Sequence, residues 1–164
     1  HHQAVKASVL YQQAVDAYQT QHIDVLDKAV NTLQEDYPRS PYAQYALFIQ
    51  AKMAVDKQDY NAADTALTWV IKHSHDRNIK AIAQLRLSSV QTAEHQEDAA
   101  IKTLQSIKNS AFKGLALIKI ADAYLALGDV QKAQINYEAA NKLLPDAGNT
   151  MPTLAVKLDS ATAA

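Results

Sequence analysis

Small residues return at a near-fixed spacing along this chain, and that spacing constrains the fold more than any other feature. Ala29, Ala63, Ala100 and Ala133 stand 34, 37 and 33 residues apart. Twelve residues before each lies another small residue: Ala17, Ala51, Ser88 and Ala121. Four residues after each come Leu33, Leu67, Leu104 and Tyr137, and three further on Asp36, Val70, Ile107 and Ala140. The apolar residues between them recur at three and four rather than at two, which is the helical period. Small residues at both places fit two helices folded back on each other, because interaxial distance follows the bulk at the crossing. Such a hairpin cannot bury its apolar faces alone and must stack on copies of itself. Asp36 breaks the apolar pattern, which makes the first unit the most degenerate, as terminal repeats usually are.

Punctuation agrees with the repeat. Pro38 and Pro41 separate one helical stretch from the next, Gly128-Asp129 supplies a stop and a turn, and Pro145 and Pro152 bracket the last connection. The periodicity predicts helices over Val5–Thr20, Ile23–Asp36, Pro41–Lys57, Tyr60–His73, Asn78–Ala93, Glu97–Lys108, Phe112–Leu127 and Val130–Leu144. A short final helix from Pro152 to about Ala161 would present Leu154, Leu158 and Ala161 on one side, with Thr150 as its cap. The expected division is a tag remnant at residues 1–2 (His1 and His2), a repeat domain over 3–149, and a capping helix and tail over 150–164.

Composition narrows the function classes. Of the 164 residues, 48% are hydrophobic and 20% charged, a globular balance. The net charge of -1 lacks the electrostatic footprint of a nucleic-acid binder. With no cysteine, disulfides, zinc-thiolate sites and thiol nucleophiles are excluded. No stretch approaches the roughly 20 apolar residues that cross a bilayer; Gly114 to Gly128 is interrupted by Lys119 and Asp122. The chain therefore reads as a soluble piece from which an N-terminal targeting or membrane segment could have been removed.

The unit carrying Leu117, Ile120, Ala121, Tyr124, Ala133, Tyr137, Ala140 and Pro145 resembles a tetratricopeptide repeat. The expected fold is all-α: a right-handed stack of about four helical hairpins plus the C-terminal cap. In such a stack the first helix of each hairpin lines the inner wall. The candidate protein-binding residues on that wall are Tyr11, Tyr18, Tyr45, Phe48, Lys52, Ile82, Leu85, Arg86, Ser89, Leu115, Ile118, Lys119 and Asp122. This lining is greasy and aromatic, suited to an apolar peptide segment or an amphipathic helix. It could equally be filled from within, by the C-terminal helix or by a dimer partner, because large exposed apolar patches are rare on monomers.

Other groupings carry less. The paired Lys and Asn that fix a terminal carboxylate in carboxylate-clamp repeats are not reproduced along the inner helices. Arg86, between Leu85 and Leu87, is expected to pair with a neighbouring acid or to reach water. His73 and His75 beside Asp76 lack the further ligands that close a metal site and read as a solvated loop. Trp69 reads as a packing anchor. No nucleophile, base and orienting group converge in the sequence, so neither an enzyme nor a cofactor is expected.

A longer resemblance lies in Asp76-Arg77-Asn78-Ile79-Lys80-Ala81-Ile82-Ala83-Gln84-Leu85-Arg86-Leu87, in Ala100 to Lys108, and in Gly128-Asp129 ahead of Ala133. Together with Ala7 to Gln12, these residues resemble the YfgM-type ancillary subunits of the bacterial SecYEG translocon. The likeness runs from about residue 4 to residue 144 and fades after Pro145. It implies a short cytoplasmic tail, one membrane-spanning helix and a repeat domain in the periplasm. It also implies association with the translocon, with exported polypeptides, and with a membrane-anchored chaperone of the prolyl-isomerase class. A shorter run, Tyr37-Pro38-Arg39-Ser40-Pro41-Tyr42-Ala43, is similar to the linker of envelope tetratricopeptide lipoproteins, including outer-membrane assembly factors. A generic tetratricopeptide adaptor is the third reading.

Overall fold

The computed structural model describes residues 2–144, and all of the regular structure among them is helical. The elements are α1 (His2–Gln19), α2 (Ile23–Asp36), α3 (Pro41–Asp56), α4 (Tyr60–His73), α5 (Arg77–Ala93), α6 (Glu97–Gln105), α7 (Lys113–Ala126) and α8 (Val130–Leu143). A single 3-10 turn, Ser110–Phe112, leads into α7. The capping helix expected over 150–164 lies outside the described residues. Two compact units divide the chain, His1–Ala83 and Gln84–Ala164, with the boundary inside α5.

Within the first unit, α1 packs on α2 and α3 on α4, while α3 also touches both earlier helices. Within the second, α7 packs on α6 and on α8. The small residues that set the repeat are all buried, Ala17, Ala29, Ala51 and Ala63 in the first unit and Ser88, Ala100, Ala121 and Ala133 in the second. Leu33, Leu67, Leu104 and Tyr137 fill the neighbouring space and are buried as well. Asp36, the one break in the pattern, is exposed at the end of α2.

Each hairpin turns by the same device. Gln21, Gln58, His95 and Gly128 take φ of 61°, 59°, 59° and 81°. The residue after each donates its N–H five residues back: His22 to Ala17 O, Asp59 to Ala54 O, Gln96 to Gln91 O (each 2.8 Å) and Asp129 to Tyr124 O (2.9 Å). The left-handed residue itself donates three residues back, completing a Schellman ending that satisfies the last carbonyls. Glycine adopts this conformation without strain; glutamine and histidine hold it at a cost of roughly 1 kcal/mol or more. Only the fourth turn therefore announces itself in the sequence. Asp59 and Asp129 go on to cap the next helices, accepting from Ala62 N (3.2 Å) and Lys132 N (3.1 Å).

The helix limits follow local chemistry. Ser40 caps α3 by accepting from Tyr42 N at 3.2 Å, and Pro41 occupies the first turn, where its missing N–H costs nothing. Asp76 Oδ1 accepts from Asn78 N (2.8 Å) and Ile79 N (3.0 Å) at the start of α5. The main departure is α6, expected to reach Lys108 but ending at Gln105. Buried Gln84 donates to Ser106 Oγ at 3.0 Å, and Ser106 Oγ donates back to Thr103 O at 2.5 Å. Asn109 Oδ1 then accepts from Ala111 N and starts the 3-10 turn. Side chains satisfying backbone groups in this way compete with helix continuation.

Candidate protein-binding site

The inner residues expected in the first unit pack largely on one another. Tyr11 lies 5.4 Å from Tyr42 and 6.1 Å from Tyr45, centroid to centroid, and Tyr42 meets Tyr45 edge to face at 6.1 Å. These are the tilted arrangements that aromatic quadrupoles favour. Tyr18 donates its hydroxyl to Asp56 Oδ2 at 2.7 Å, and Lys52 Nζ sits 5.8 Å from the Tyr18 ring centroid. Tyr45 is 40% exposed, Lys52 is exposed, and Tyr11, Tyr18, Phe48 and Ile82 are half-buried. Tyr42 was not anticipated as part of this cluster. Its spacing of three from Tyr45 on one helix face was the available signal.

The second unit holds a cavity of about 210 Å3 lined by Ser88, Ser89, Thr92, Leu104, Lys119, Asp122, Ala123 and Ala126. Three of its lining hydroxyls donate back into α5: Ser88 Oγ to Leu85 O (2.6 Å), Ser89 Oγ to Leu85 O (3.3 Å) and Thr92 Oγ1 to Ser88 O (2.9 Å). Their protons are thereby committed, so the oxygens can serve a ligand only as acceptors. Asp122 accepts from the hydroxyl of Tyr137, which is fully buried. Burial first, and then that carboxylate, push the Tyr137 phenol well above its ordinary value. Lys119 adds a flexible cationic donor. Hydroxyl oxygens from α5, with a carboxylate and an ammonium from α7, suit the N–H and C=O groups of an extended polypeptide.

Ser89, Lys119 and Asp122 line this one cavity, while Arg86 and Leu115 lie on exposed surface outside it. Ile118 is half-buried against Ala121, Ala133 and Tyr137. Leu85 requires a correction. It is only 8% exposed and belongs to a core cluster with Ile101, Leu104, Ala116, Ile120 and Ala123, so it supports the wall rather than lining it. Trp69 stacks on His73, with centroids 4.0 Å apart and planes 12° off parallel. Among the described residues no three potential metal ligands cluster, and no helix is long and apolar enough to cross a membrane.

Paired helices of this length, closed by Schellman turns and with the repeat's small residues buried, define a helical-hairpin repeat protein. The tetratricopeptide repeat-like domain family matches residues 1–163. Curated relatives named ancillary SecYEG translocon subunit share that similarity through most of the chain. The one from Aggregatibacter actinomycetemcomitans is 32% identical over 137 residues, 84% of this chain and 67% of the relative. The Haemophilus influenzae protein is 32% identical over 142 residues, 85% and 68% respectively, and the Escherichia coli protein 33% over 139, 85% and 66%. The chain belongs to this YfgM-type family of tetratricopeptide-like proteins and spans about two thirds of its relatives' length. Among solved structures, the MamA protein gives a TM-score of 0.67 at 19% identity, covering 95% of this chain and 86% of that one. The TPR-like repeats of a Podosopora anserina kinesin light chain give 0.72 at 14%, covering 98% and 86%. These two likenesses concern the fold alone. The domain is a protein-interaction scaffold.

Proposed function

We propose that this domain works without chemistry of its own, on the periplasmic side of the bacterial inner membrane, as an accessory to the SecYEG translocon. There it holds emerging chains near periplasmic chaperones, including a membrane-anchored one of the prolyl-isomerase class. The observation that carries this reading is the relatives' shared name, maintained at about a third identity over some 85% of the chain. The second unit's cavity supplies a physical means: Ser89, Lys119 and Asp122 offer preset acceptors and a donor, so little ordering cost accompanies capture of an extended segment. An N-terminal membrane anchor on the whole protein would raise the effective concentration of that surface beside the channel.

The test places photoreactive groups at Tyr45, Ser89 and Ile118 in the full-length protein in native membranes. Crosslinks to translocon subunits, exported chains and the chaperone are expected at these positions and not at Gln131, on the exposed side of α8. Equal crosslinking at Gln131, or none at the three inner positions, would sink the proposal. Ser89→Arg, which fills the cavity, is expected to lower client capture about tenfold with little change in thermal unfolding, the loss of roughly 1.4 kcal/mol of binding.

A further inference from the structure

A second cavity, of about 380 Å3, lies in the first unit where the linkers between hairpins meet, bordering the inner wall at Tyr45. It is lined by Arg39, Gln44, Tyr45, His73, His75 and Asp76, with Pro41 and Ile79 adding apolar surface. Its polar groups point to one kind of ligand. Gln44 is nine-tenths buried and its Oε1 accepts from Ser74 Oγ at 3.0 Å, which ties the 74–76 linker to α3. The Gln44 Nε2 hydrogens bond no described residue and remain for whatever enters. His73 Nδ1 is engaged by Trp69 O at 2.9 Å, leaving Nε2. Arg39 and His75 pair with no carboxylate among the described residues. The carboxylate of Asp76 is already occupied in capping α5, where the helix N-terminus offsets its charge.

Donors therefore outnumber acceptors, and the charge is adjustable. The ionisable groups facing the imidazoles are Arg39 from the linker before α3, Tyr45 from α3 and Asp76 from the linker into α5. With both histidines neutral, Arg39 and Asp76 cancel. Protonation of either imidazole would add a positive charge to the cavity. A guanidinium beside amide and imidazole donors suits a carboxylate, since charge-assisted bonds to Arg are the strong ones. Tyr45, Pro41 and Ile79 make an apolar wall beside it, which favours a carboxylate carried on an apolar peptide over a bare inorganic ion.

We propose that this cavity is a second binding site, which takes a carboxylate of a partner polypeptide and holds it more tightly in mildly acidic solution. The site shares no residue with the second unit's cavity, so it can stand or fall apart from the proposed function. The probe is a fluorescein-labelled peptide, Gly-Ser-Phe-Leu-Glu, titrated by polarisation at pH 6 and pH 8. The expected result is saturable binding at least fivefold tighter at pH 6, reduced about tenfold by Arg39→Gln, and reduced with loss of the pH dependence by the double variant His73→Gln, His75→Gln. Ser89→Arg should leave it unchanged. C-terminal amidation, set against Glu→Gln in the peptide, tells which carboxylate is held. Thermal unfolding and the amide spectrum of each variant check that the exposed substitutions leave the fold intact. Absence of saturable binding at pH 6, binding indifferent to Arg39→Gln, or binding unchanged by both C-terminal amidation and Glu→Gln in the peptide would overturn the site.

Discussion

The two units use the same hairpin and cover their inner faces differently. In the first, Tyr11, Tyr42 and Tyr45 lean on one another and Tyr18 is tied to Asp56 beneath Lys52. In the second, the hydroxyls of Ser88, Ser89 and Thr92 face a cavity with Lys119 and Asp122. The first wall packs its rings on one another and pairs Tyr18 with Asp56, and the second lines a cavity with hydroxyl oxygens and a cation. Repeat position therefore decides where a residue sits, and its neighbours decide whether it is available.

The contrast breaks most sharply at Leu85. Leu85→Asp places a carboxylate among Ile101, Leu104 and Ile120 and should cost about 3 kcal/mol or more, whereas Tyr45→Asp, at a 40% exposed site, should cost about 1 kcal/mol or less. Denaturant titration of both measures the difference, and equal losses would mean Leu85 is not a core residue. Next come the crossings. Ala63→Leu and Ala133→Leu overpack positions with no exposure in each unit and should each cost about 1–3 kcal/mol by thermal unfolding. A null result at either would show the repeat spacing to be misassigned there.

Tyr137→Phe is expected to remove about 1–2 kcal/mol by leaving Asp122 without that donor. Folding holds the Tyr137 phenol protonated in a range where the unfolded chain would release the proton. The contribution is thus complete below the ordinary tyrosine range, near pH 10, and declines as pH rises above it. Stability measured from pH 8 to pH 11 should fall less steeply in Tyr137→Phe than in the parent. The smallest effects belong to the turns. Gln58→Gly should stabilise by up to about 1 kcal/mol by relieving the left-handed backbone, and Gly128→Ala should lose about 1 kcal/mol. Equal and null shifts in melting temperature would count against the shared turn geometry.

Much of the architecture was readable beforehand because its cause is local. The limits of α2 and α4 coincide with the expected ones, and the buried alanines are those the spacing selects. The end of α6 was not readable, since it depends on Gln84 reaching Ser106 from another helix. Gln21, Gln58 and His95 were missed as turn residues because nothing in their side chains demands a positive φ. Ser89 and Asp122 fall on one wall by repeat position and Tyr42 stands three residues from Tyr45, whereas the burial of Leu85 and the approach of Tyr11 to Tyr42 could not be read.

Sequence by itself determined that helices pair, where they cross and in what order, because a small residue every thirty-odd positions admits few other packings. Tertiary structure alone decided which inner residues are spent on one another and which are offered outward. That choice hangs on contacts between side chains far apart in the chain, Tyr18 with Asp56, Gln44 with Ser74 and Tyr137 with Asp122, whose pairing no local pattern encodes.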